Sequence, residues 1–555
     1  MDENPTYQPS LYDGLLVRRT LGATDWKSVV IWERRTGSPS YFGGDGLEVR
    51  RTLRGDGLEV RRTGRFPSDA CLSSVGVYPS STETVDRLKT ESLMMPLLRL
   101  ALVACVIAWS SYSRAMAAPP NVIVILADDL GYGDLGCYGH PKFKTPHLDR
   151  MAAEGARLTH FNTPIPFCAP TRASLLTGRY PFRCGMPSNP APDGGPVADR
   201  THLPETEIML AQLLRQAGYA TAIIGKWHLG HARPEWLPTQ RGFDRYFGIP
   251  YSNDMRPVKL FEGTKPDAEF PLDQTTLTQR YTDRAIAFLE QNRSRPFFLY
   301  LPHTMPHKPL AASDKFYKQT QLGLYGDVIA ELDAGIGQLF AKLKELQLDD
   351  NTFVLFTSDN GPWYGGSTAG LRGMKGSTYE GGHRVPCIAR WPRKIPVGHV
   401  SHELAVTMDI FTTVLKLGDI AAPDDRVIDG RDLMPLFTST AKSEHQAIFG
   451  AHGAQLASVR DGQWKLHVLP GKDPFLGATK RGGQWTDPRG PDGKTILAPL
   501  EQPQPNEYPG VQTGVAAAAM QLFDLKNDPA EQVDVAKQHP QVVTRLKQLF
   551  DTAMK

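Results

Sequence analysis

Cys168-Ala-Pro-Thr-Arg172, running on through Ala173-Ser-Leu-Leu-Thr-Gly178-Arg179, sets a thiol and a guanidinium four residues apart around a proline. At that spacing the two groups share one face of a helix. Pro170 suits the first helical position and Gly178 the C-terminal stop, and a helix N-terminus offers backbone donors and positive potential to an anion held at residue 168. A nucleophile beside a fixed cation at such an end is equipped to handle an anion. A lone cysteine is more often a buried structural thiol. The flanking Pro, Arg and Thr-Gly favour the chemical reading.

An anionic ester also needs a cation, fixed donors and an acid for its leaving oxygen. Asn121-Val-Ile-Val-Ile-Leu-Ala127 is an apolar run of strand length that ends in Asp128-Asp129 before the turn Leu130-Gly-Tyr-Gly133. Thr352-Phe-Val-Leu-Phe-Thr-Ser358 ends in the same way, in Asp359-Asn360-Gly361. Four oxygen donors at strand carboxyl ends stand where open α/β sheets collect their sites, and hard oxygens favour calcium or magnesium over zinc. Either acidic pair alone would be more often a cap or a turn.

Ala220–Ile224 reads as another strand, and Gly225-Lys-Trp-His-Leu-Gly230 after it would point Lys226 and His228 to one side if it stays extended. Pro296–Leu301 is a further strand, followed by the proline-stiffened loop Pro302-His-Thr-Met-Pro-His-Lys-Pro-Leu310 with His303 and His307. Gly370-Leu-Arg-Gly-Met-Lys375-Gly-Ser-Thr-Tyr-Glu-Gly-Gly382 is not a phosphate loop, because Lys375 precedes its glycine rather than following it.

These strings together resemble the formylglycine-dependent type I sulfatases: Cys-x-Pro-x-Arg with Thr-Gly, the two acidic pairs, Gly-Lys-Trp-His-Leu-Gly, His-x-Pro-Leu and Gly-x-Lys-Gly-x-x-x-Glu-Gly-Gly. Thr171 departs from the serine usual at its position. Gly248-Ile-Pro-Tyr-Ser-Asn-Asp254 and Trp464-Lys-Leu-His467 are similar to segments of the arylsulfatase A and N-acetylgalactosamine-6-sulfatase branch. The resemblance implies that Cys168 is oxidised to formylglycine by a formylglycine-generating or anaerobic sulfatase-maturating enzyme. It implies one calcium ion, with magnesium the alternative, held by Asp128, Asp129, residue 168, Asp359 and Asn360.

It further implies that Lys226 and His307 contact the sulfate, that His228 lies beside the formylglycine hydroxyls, that Lys375 reaches the bridging oxygen and that Arg172 holds the formylglycine. His303 and Arg372 are substrate-side candidates. The implied reaction passes through a sulfated enzyme: one hydroxyl of the hydrated aldehyde attacks sulfur with help from Asp359, His307 and Lys375 assist the leaving oxygen, and His228 takes the second hydroxyl's proton as sulfate leaves. The substrate would be an aryl sulfate or a sulfated carbohydrate. Two other readings stand beside this one: a formylglycine-dependent phosphonate or phosphate ester hydrolase, and a non-catalytic secreted binding protein on the same scaffold. The second would be expected to lack site residues, and none is missing.

The chain has 555 residues, and its first 94 repeat Asp-Gly-Leu-x-Val-Arg-Arg-Thr at 13–20, 45–52 and 56–63. Such repeats without a helical or strand period fit an over-translated or disordered leader. Residues 95–117 have the apolar stretch and the Ala115-Met-Ala117 end of a secretory signal, which implies export to a periplasm or the exterior. The apolar part, 97–109, is short for a membrane span and contains Arg99. Leu102-Val-Ala-Cys105 also resembles a lipoprotein box.

A net charge of +3 gives no nucleic-acid footprint, so a sulfated polymer would have to be recognised locally. Beyond the signal the cysteines are Cys137, Cys168, Cys184 and Cys387, and conversion of Cys168 leaves room for at most one disulfide.

Strands alternating with helical segments at 203–217, 276–291 and 325–346 predict an α/β catalytic domain over 118–440. By resemblance its sheet is a mixed, alkaline-phosphatase-like one between helices. Short strands at 447–450, 455–460 and 463–468, with a helix at 539–553, predict a smaller antiparallel-sheet C-terminal domain over 441–555. The Gly- and Pro-rich stretch from Pro470 to Gly514 interrupts that sheet and is read as a wall of the substrate cleft.

Overall fold

In this computed structural model the described residues are the backbone of four strands ahead of residue 119, and then 119–191, 200–255, 258–268, 272–476 and 508–553. The four early strands, Leu16–Leu21, Lys27–Trp32, Pro39–Gly43 and Leu47–Glu48, pair antiparallel in chain order. They fall within the segment read as a leader. The signal-like segment 95–117 lies outside the described residues.

The apolar runs form one ten-stranded sheet. Its strands are β1 (Asn121–Ala127), β2 (Ala156–Asn162), β3 (Ala220–Ile224), β4 (Arg245–Gly248), β5 (Leu260–Glu262), β6 (Lys265–Ala268), β7 (Phe297–Pro302), β8 (Thr352–Ser358), β9 (Cys387–Arg390) and β10 (His399–Val406). The order across the sheet is β6-β5-β4-β3-β7-β1-β8-β9-β2-β10. β4, β3, β7, β1 and β8 run parallel, and β9 runs antiparallel between β8 and β2.

Ile123, Ile125 and Ala127 of β1 enter one apolar core, while Val122, Val124 and Leu126 enter the other. A strand covered on both faces reads as an unbroken apolar run because neither side chain of each pair meets water. The first core packs α5 (Gly323–Glu345), α4 (Leu277–Gln291) and α1 (Pro146–Glu154) through Val328, Leu332, Tyr281, Leu289, Leu148 and Met151. The second packs α2 (Cys168–Thr177), α3 (Leu210–Gln216), α7 (Asp409–Leu417) and α8 (Met434–Thr438) through Ala173, Leu176, Leu214, Ile410, Val414 and Leu436. The helix expected over 203–217 is confined to α3. The Gln212 side chain accepts the Met209 N–H at 2.7 Å and so closes its first turn, and Pro204 keeps the preceding residues in a separate turn.

The C-terminal strands are β11 (Ile448–His452), β12 (Gln455–Arg460), β13 (Trp464–His467) and β14 (Gln521–Asp524), antiparallel in that order. Leu546 of α9 (Pro540–Ala553) packs on Val459, Leu466 and Leu522. A single turn of helix, α6 (Glu380–His383), follows the Gly370–Gly382 loop. Cys137, Cys168, Cys184 and Cys387 are all free thiols. Among the described residues no helix is long and apolar enough to cross a membrane.

The order β3-β7-β1-β8 carries the functional consequence. Ala127 pairs with Ser358 and Leu126 with Pro302, so three neighbouring strands release Asp128-Asp129, Asp359-Asn360 and the His303–Leu310 loop at one edge. β3 is the next strand over and delivers Lys226 and His228.

Candidate active site

Cys168 opens α2 and is 1 % exposed. Pro170 therefore occupies the third helical position rather than the first, while Gly178 ends the helix in the left-handed conformation at φ 71°. Arg172, one turn on, is wholly buried. Its Nε and Nη2 donate to Asp359 Oδ2 at 3.0 and 2.7 Å, its Nη1 donates to the Lys226 carbonyl at 3.0 Å, and its Nη2 lies 3.5 Å from Asp128 Oδ2.

The two acidic pairs meet as the strand register requires. Asp129 N–H donates to Asp359 Oδ1 at 3.2 Å, and Asn360 Nδ2 donates to Asp129 Oδ1 at 2.7 Å. Asp129 turns away from its strand at φ 64°. Lys226 Nζ donates to Asp128 Oδ2 at 2.5 Å and to Ser252 Oγ at 3.1 Å. Lys375 Nζ stands 2.9 Å from Asp129 Oδ2 and 3.4 Å from Cys168 Sγ. His307 Nε2 is 3.8 Å from Asp129 Oδ2, its ring oriented by a 2.6 Å contact between Nδ1 and the Lys308 carbonyl.

The segment after β3 is not extended. His228 sits at φ 64°, and it reaches the charged cluster through that left-handed turn rather than through strand alternation. Neither of its ring nitrogens has a hydrogen-bond partner. Burial, with Lys226 and Arg172 beside it, holds its pKa well below the usual imidazole range, leaving a neutral base with free lone-pair capacity. Burial followed by Lys375 lowers His307 as well. Asp128 would be raised by burial, but Lys226, His307, Arg172 and Lys375 hold it well below the carboxylate range. Burial and the neighbouring Asp128 push Asp359 up to about 7 against the pull of Arg172. Burial also raises the Cys168 thiol, so the unmodified cysteine is a poor nucleophile where it stands.

Ligand atoms of Asp128, Asp129, Cys168 and His307 lie within 4.8 Å of one another, all buried. Asp128 Oδ1 and the Asn360 side-chain oxygen are buried without a hydrogen-bond partner. Unpartnered oxygens inside a cluster of carboxylates are what a hard cation satisfies. His307 joins this cluster although it was read from the sequence as a sulfate contact.

Two candidates lie elsewhere. His303 is buried edge-on to Tyr281, with ring centroids 6.1 Å apart, and burial lowers its pKa to about 4. Arg372 directs its guanidinium to the carbonyls of Glu531 and Val515 at 2.9 and 3.0 Å and stacks over Tyr379. Ser252 was not singled out from the sequence, although it lies in the quoted Gly248–Asp254 segment. Asp134 was also passed over. It accepts from Gly131 N at 2.5 Å, Ser367 N at 2.7 Å and Tyr325 Oη at 2.6 Å, and so fixes the turn that follows Asp129.

A thiol, three buried cations, three carboxylates and a neutral histidine at the carboxyl edge of a mixed α/β sheet define a hydrolase site for anionic esters. The sulfatase family profile matches residues 120–420, and the chain belongs to the sulfatase family. It is 42% identical over 375 residues to N-acetylgalactosamine-6-sulfatase of Canis lupus familiaris, covering 63% of this chain and 72% of that protein. It is 37% identical over 477 residues to human (Homo sapiens) arylsulfatase A, covering 78% and 88%. The PsFucS1 sulfatase from Pseudoalteromonas sp. superposes with a TM-score of 0.66 at 28% identity, covering 80% of this chain and 92% of that one. The protein is a sulfuric ester hydrolase.

Proposed function

We propose that the protein is an exported, formylglycine-dependent sulfatase acting on a sulfated carbohydrate or an aryl sulfate. The observation that carries this reading is the position of Cys168. Its sulfur sits 3.4 Å from the Lys375 ammonium, in a cluster with Asp128, Asp129 and His307, on the helix turn that also supplies Arg172. Burial makes the thiol a poor nucleophile there, whereas oxidation to formylglycine would supply a hydrated aldehyde with a hydroxyl nucleophile. A divalent cation held by Asp128, Asp129, Asp359, Asn360 and residue 168, with His307 beside them, would supply Lewis acidity and positive charge, and the carboxylate and amide oxygens favour calcium.

The chain's own residues account for the rest. Lys226 and Lys375 approach residue 168 with ammonium groups that can hold sulfate oxygens, and Ser252 and Asp128 fix the Lys226 end. Lys375 and His307 can deliver charge or a proton to the leaving oxygen. His228, neutral, unpartnered and set among Lys226, Arg172 and Asp128, would accept a proton from residue 168. Arg172 fixes Asp359, whose charge acts on residue 168. The carbohydrate arm of the proposal rests on the name of the N-acetylgalactosamine-6-sulfatase relative.

The wall of the cleft is proposed to include 470–476 and 508–511. Phe475 packs on Trp363 at 4.7 Å, and Thr378 N–H donates to the Lys472 carbonyl at 2.9 Å. Residues 477–507 between these flanks lie outside the described residues.

The test is sulfate against phosphate release from matched aryl esters, with protein co-expressed with a formylglycine-generating enzyme. Sulfate release should predominate and should vanish in Cys168→Ala while the fold is kept. Retained turnover in that variant would refute the formylglycine reading, and faster phosphate or phosphonate release would move the assignment to the ester-hydrolase alternative.

A further inference from the structure

Glu531, on the turn after β14, is fully buried and adopts the left-handed conformation at φ 53° that non-glycine residues rarely take. Its Oε2 accepts the backbone N–H of Glu380 at 2.6 Å. Its Oε1 meets His467 Nε2 at 2.8 Å and Lys465 Nζ at 3.2 Å. The carbonyl of the same residue accepts from Arg372 Nη1 at 2.9 Å. One residue of the C-terminal sheet domain therefore grips the Gly370–Gly382 loop twice, three residues before Lys375 and five after it.

Glu380 extends the grip. Its Oε2 accepts from Arg384 Nε at 2.9 Å and Arg460 Nη1 at 2.8 Å, and its Oε1 lies 3.2 Å from Lys465 Nζ. Within the loop Gly381 N–H donates to the Arg372 carbonyl at 2.7 Å, which closes the two gripped ends on each other. Lys375 N–H donates to Pro362 O, and Gly376 N–H donates to Pro166 O, both at 3.0 Å, so the loop is also tied to the segments that carry Asn360 and Cys168. A buried ionic cluster of this kind is weak as a source of stability, since its desolvation offsets most of its attraction. What it yields is a fixed geometry, and here that geometry belongs to one lysine.

We infer that Glu531 is a positioning residue: through Glu380 and Arg372 it sets the Gly370–Gly382 loop so that Lys375 meets the leaving oxygen of the substrate. The inference rests on the proposed role of Lys375. Displacing a positioned group by about 1 Å can cost on the order of 100-fold in rate.

The experiment compares a nitrophenyl sulfate, whose leaving group needs no assistance, with an alkyl or sugar sulfate, whose leaving group does. Lys375→Ala should lower kcat on the poor leaving group far more than on the good one. Glu531→Ala should show the same selectivity, about tenfold or more, with KM little changed. Glu531→Gln keeps the acceptor for Glu380 N–H and should recover most of that loss. Lys375→Ala/Glu531→Ala should be no slower than Lys375→Ala alone, because a misplaced lysine and an absent one remove the same interaction. Should Glu531→Ala fail to fold, Arg372→Ala, which releases only the other end of the loop, should reproduce the selectivity.

A Glu531 variant that slows both substrates equally, or whose loss multiplies with that of Lys375→Ala, overturns the inference alone. A Lys375→Ala enzyme with no leaving-group selectivity overturns the role of Lys375 and the inference with it.

Discussion

Replacing Arg172 by alanine tests whether the charge cluster is held by pairing or by packing. The guanidinium is wholly buried and gives Asp359 two hydrogen bonds, at 3.0 and 2.7 Å. At about pH 8, above the value of about 7 to which burial lifts Asp359, removal of the guanidinium strands an ionised carboxylate in the interior, and breaking a buried pair from one side costs about 3–5 kcal/mol. The folded unit spans Tyr112–Lys555, so an unfolding entropy of roughly 2.1 cal/mol/K per residue gives about 0.9 kcal/mol/K in all and a fall in Tm of about 3–5 °C. Calorimetry should be run with a chelator present, so that no cation takes over the lost counter-charge.

The decisive comparison is Arg172→Ala/Asp359→Asn. If the cost is an unpaired carboxylate, the second substitution removes the charge and most of the Tm returns. A double variant as unstable as the single one would show that the arginine acts through its packed volume, and the pairing argument would be wrong.

Burial holds His303 and His383 neutral down to about 4, against 6.5 for a free imidazole. Between those values the unfolded chain takes up protons that the folded chain refuses, so stability is full above pH 6.5 and is lost as pH falls toward 4, by roughly 3 kcal/mol for each histidine. Urea melts from pH 7 to 4.5 should show that slope, to which the depressed His160, His228, His307 and His467 also contribute, and His383→Gln, which can still donate to Thr163 O, should reduce it; an unchanged slope would refute the assignment. Gly178→Ala places a methyl 2.5 Å from Phe411 Cδ1 at φ 71°, and the left-handed conformation at about 1–2 kcal/mol plus overpacking at about 1–3 kcal/mol should lower the melting temperature measurably. A neutral result would mean that Phe411 and the turn relax freely. Extensive chelation should abolish sulfate release and lower Tm, with calcium restoring both better than zinc; full activity in the chelated protein would exclude the proposed metal role.

The strands were legible because burial on both faces leaves unbroken apolar runs, and the site was legible because each run ends abruptly in its functional residues. Asn121–Ala127 and Thr352–Ser358 fall at the expected bounds. Their adjacency depends on sheet order, which no local pattern carries. His228 reaches the cluster through a left-handed turn at φ 64°, so the alternation of the preceding strand does not run on into Gly225–Gly230. Ser252 showed only as part of a similar segment, because a serine without metal-ligand or nucleophile spacing has no signature of its own. Glu531 and Glu380 lie 151 residues apart in sequence, and nothing in either neighbourhood announces the pairing. Arg372, a substrate-side candidate by resemblance, directs its contacts to the C-terminal residues Glu531 and Val515 instead.

The charge count explains why so many ionisable groups tolerate one small volume. Asp128, Asp129 and Asp359 are set against Arg172, Lys226 and Lys375, all of them buried. With Asp359 lifted to about 7 and Asp254 facing Lys226, Lys375 and His307, the cluster stays close to balance through its own side chains, with His228 and His307 depressed toward neutrality rather than adding charge. A balanced cluster can stay folded before any substrate arrives, but it offers an incoming sulfate ester no net attraction. The proposed divalent cation would tip the balance by two units in favour of an anion, and the ester would in turn make the cation cheaper to hold. Cation and substrate are then expected to favour each other's binding through the same buried lysines that keep the empty site stable.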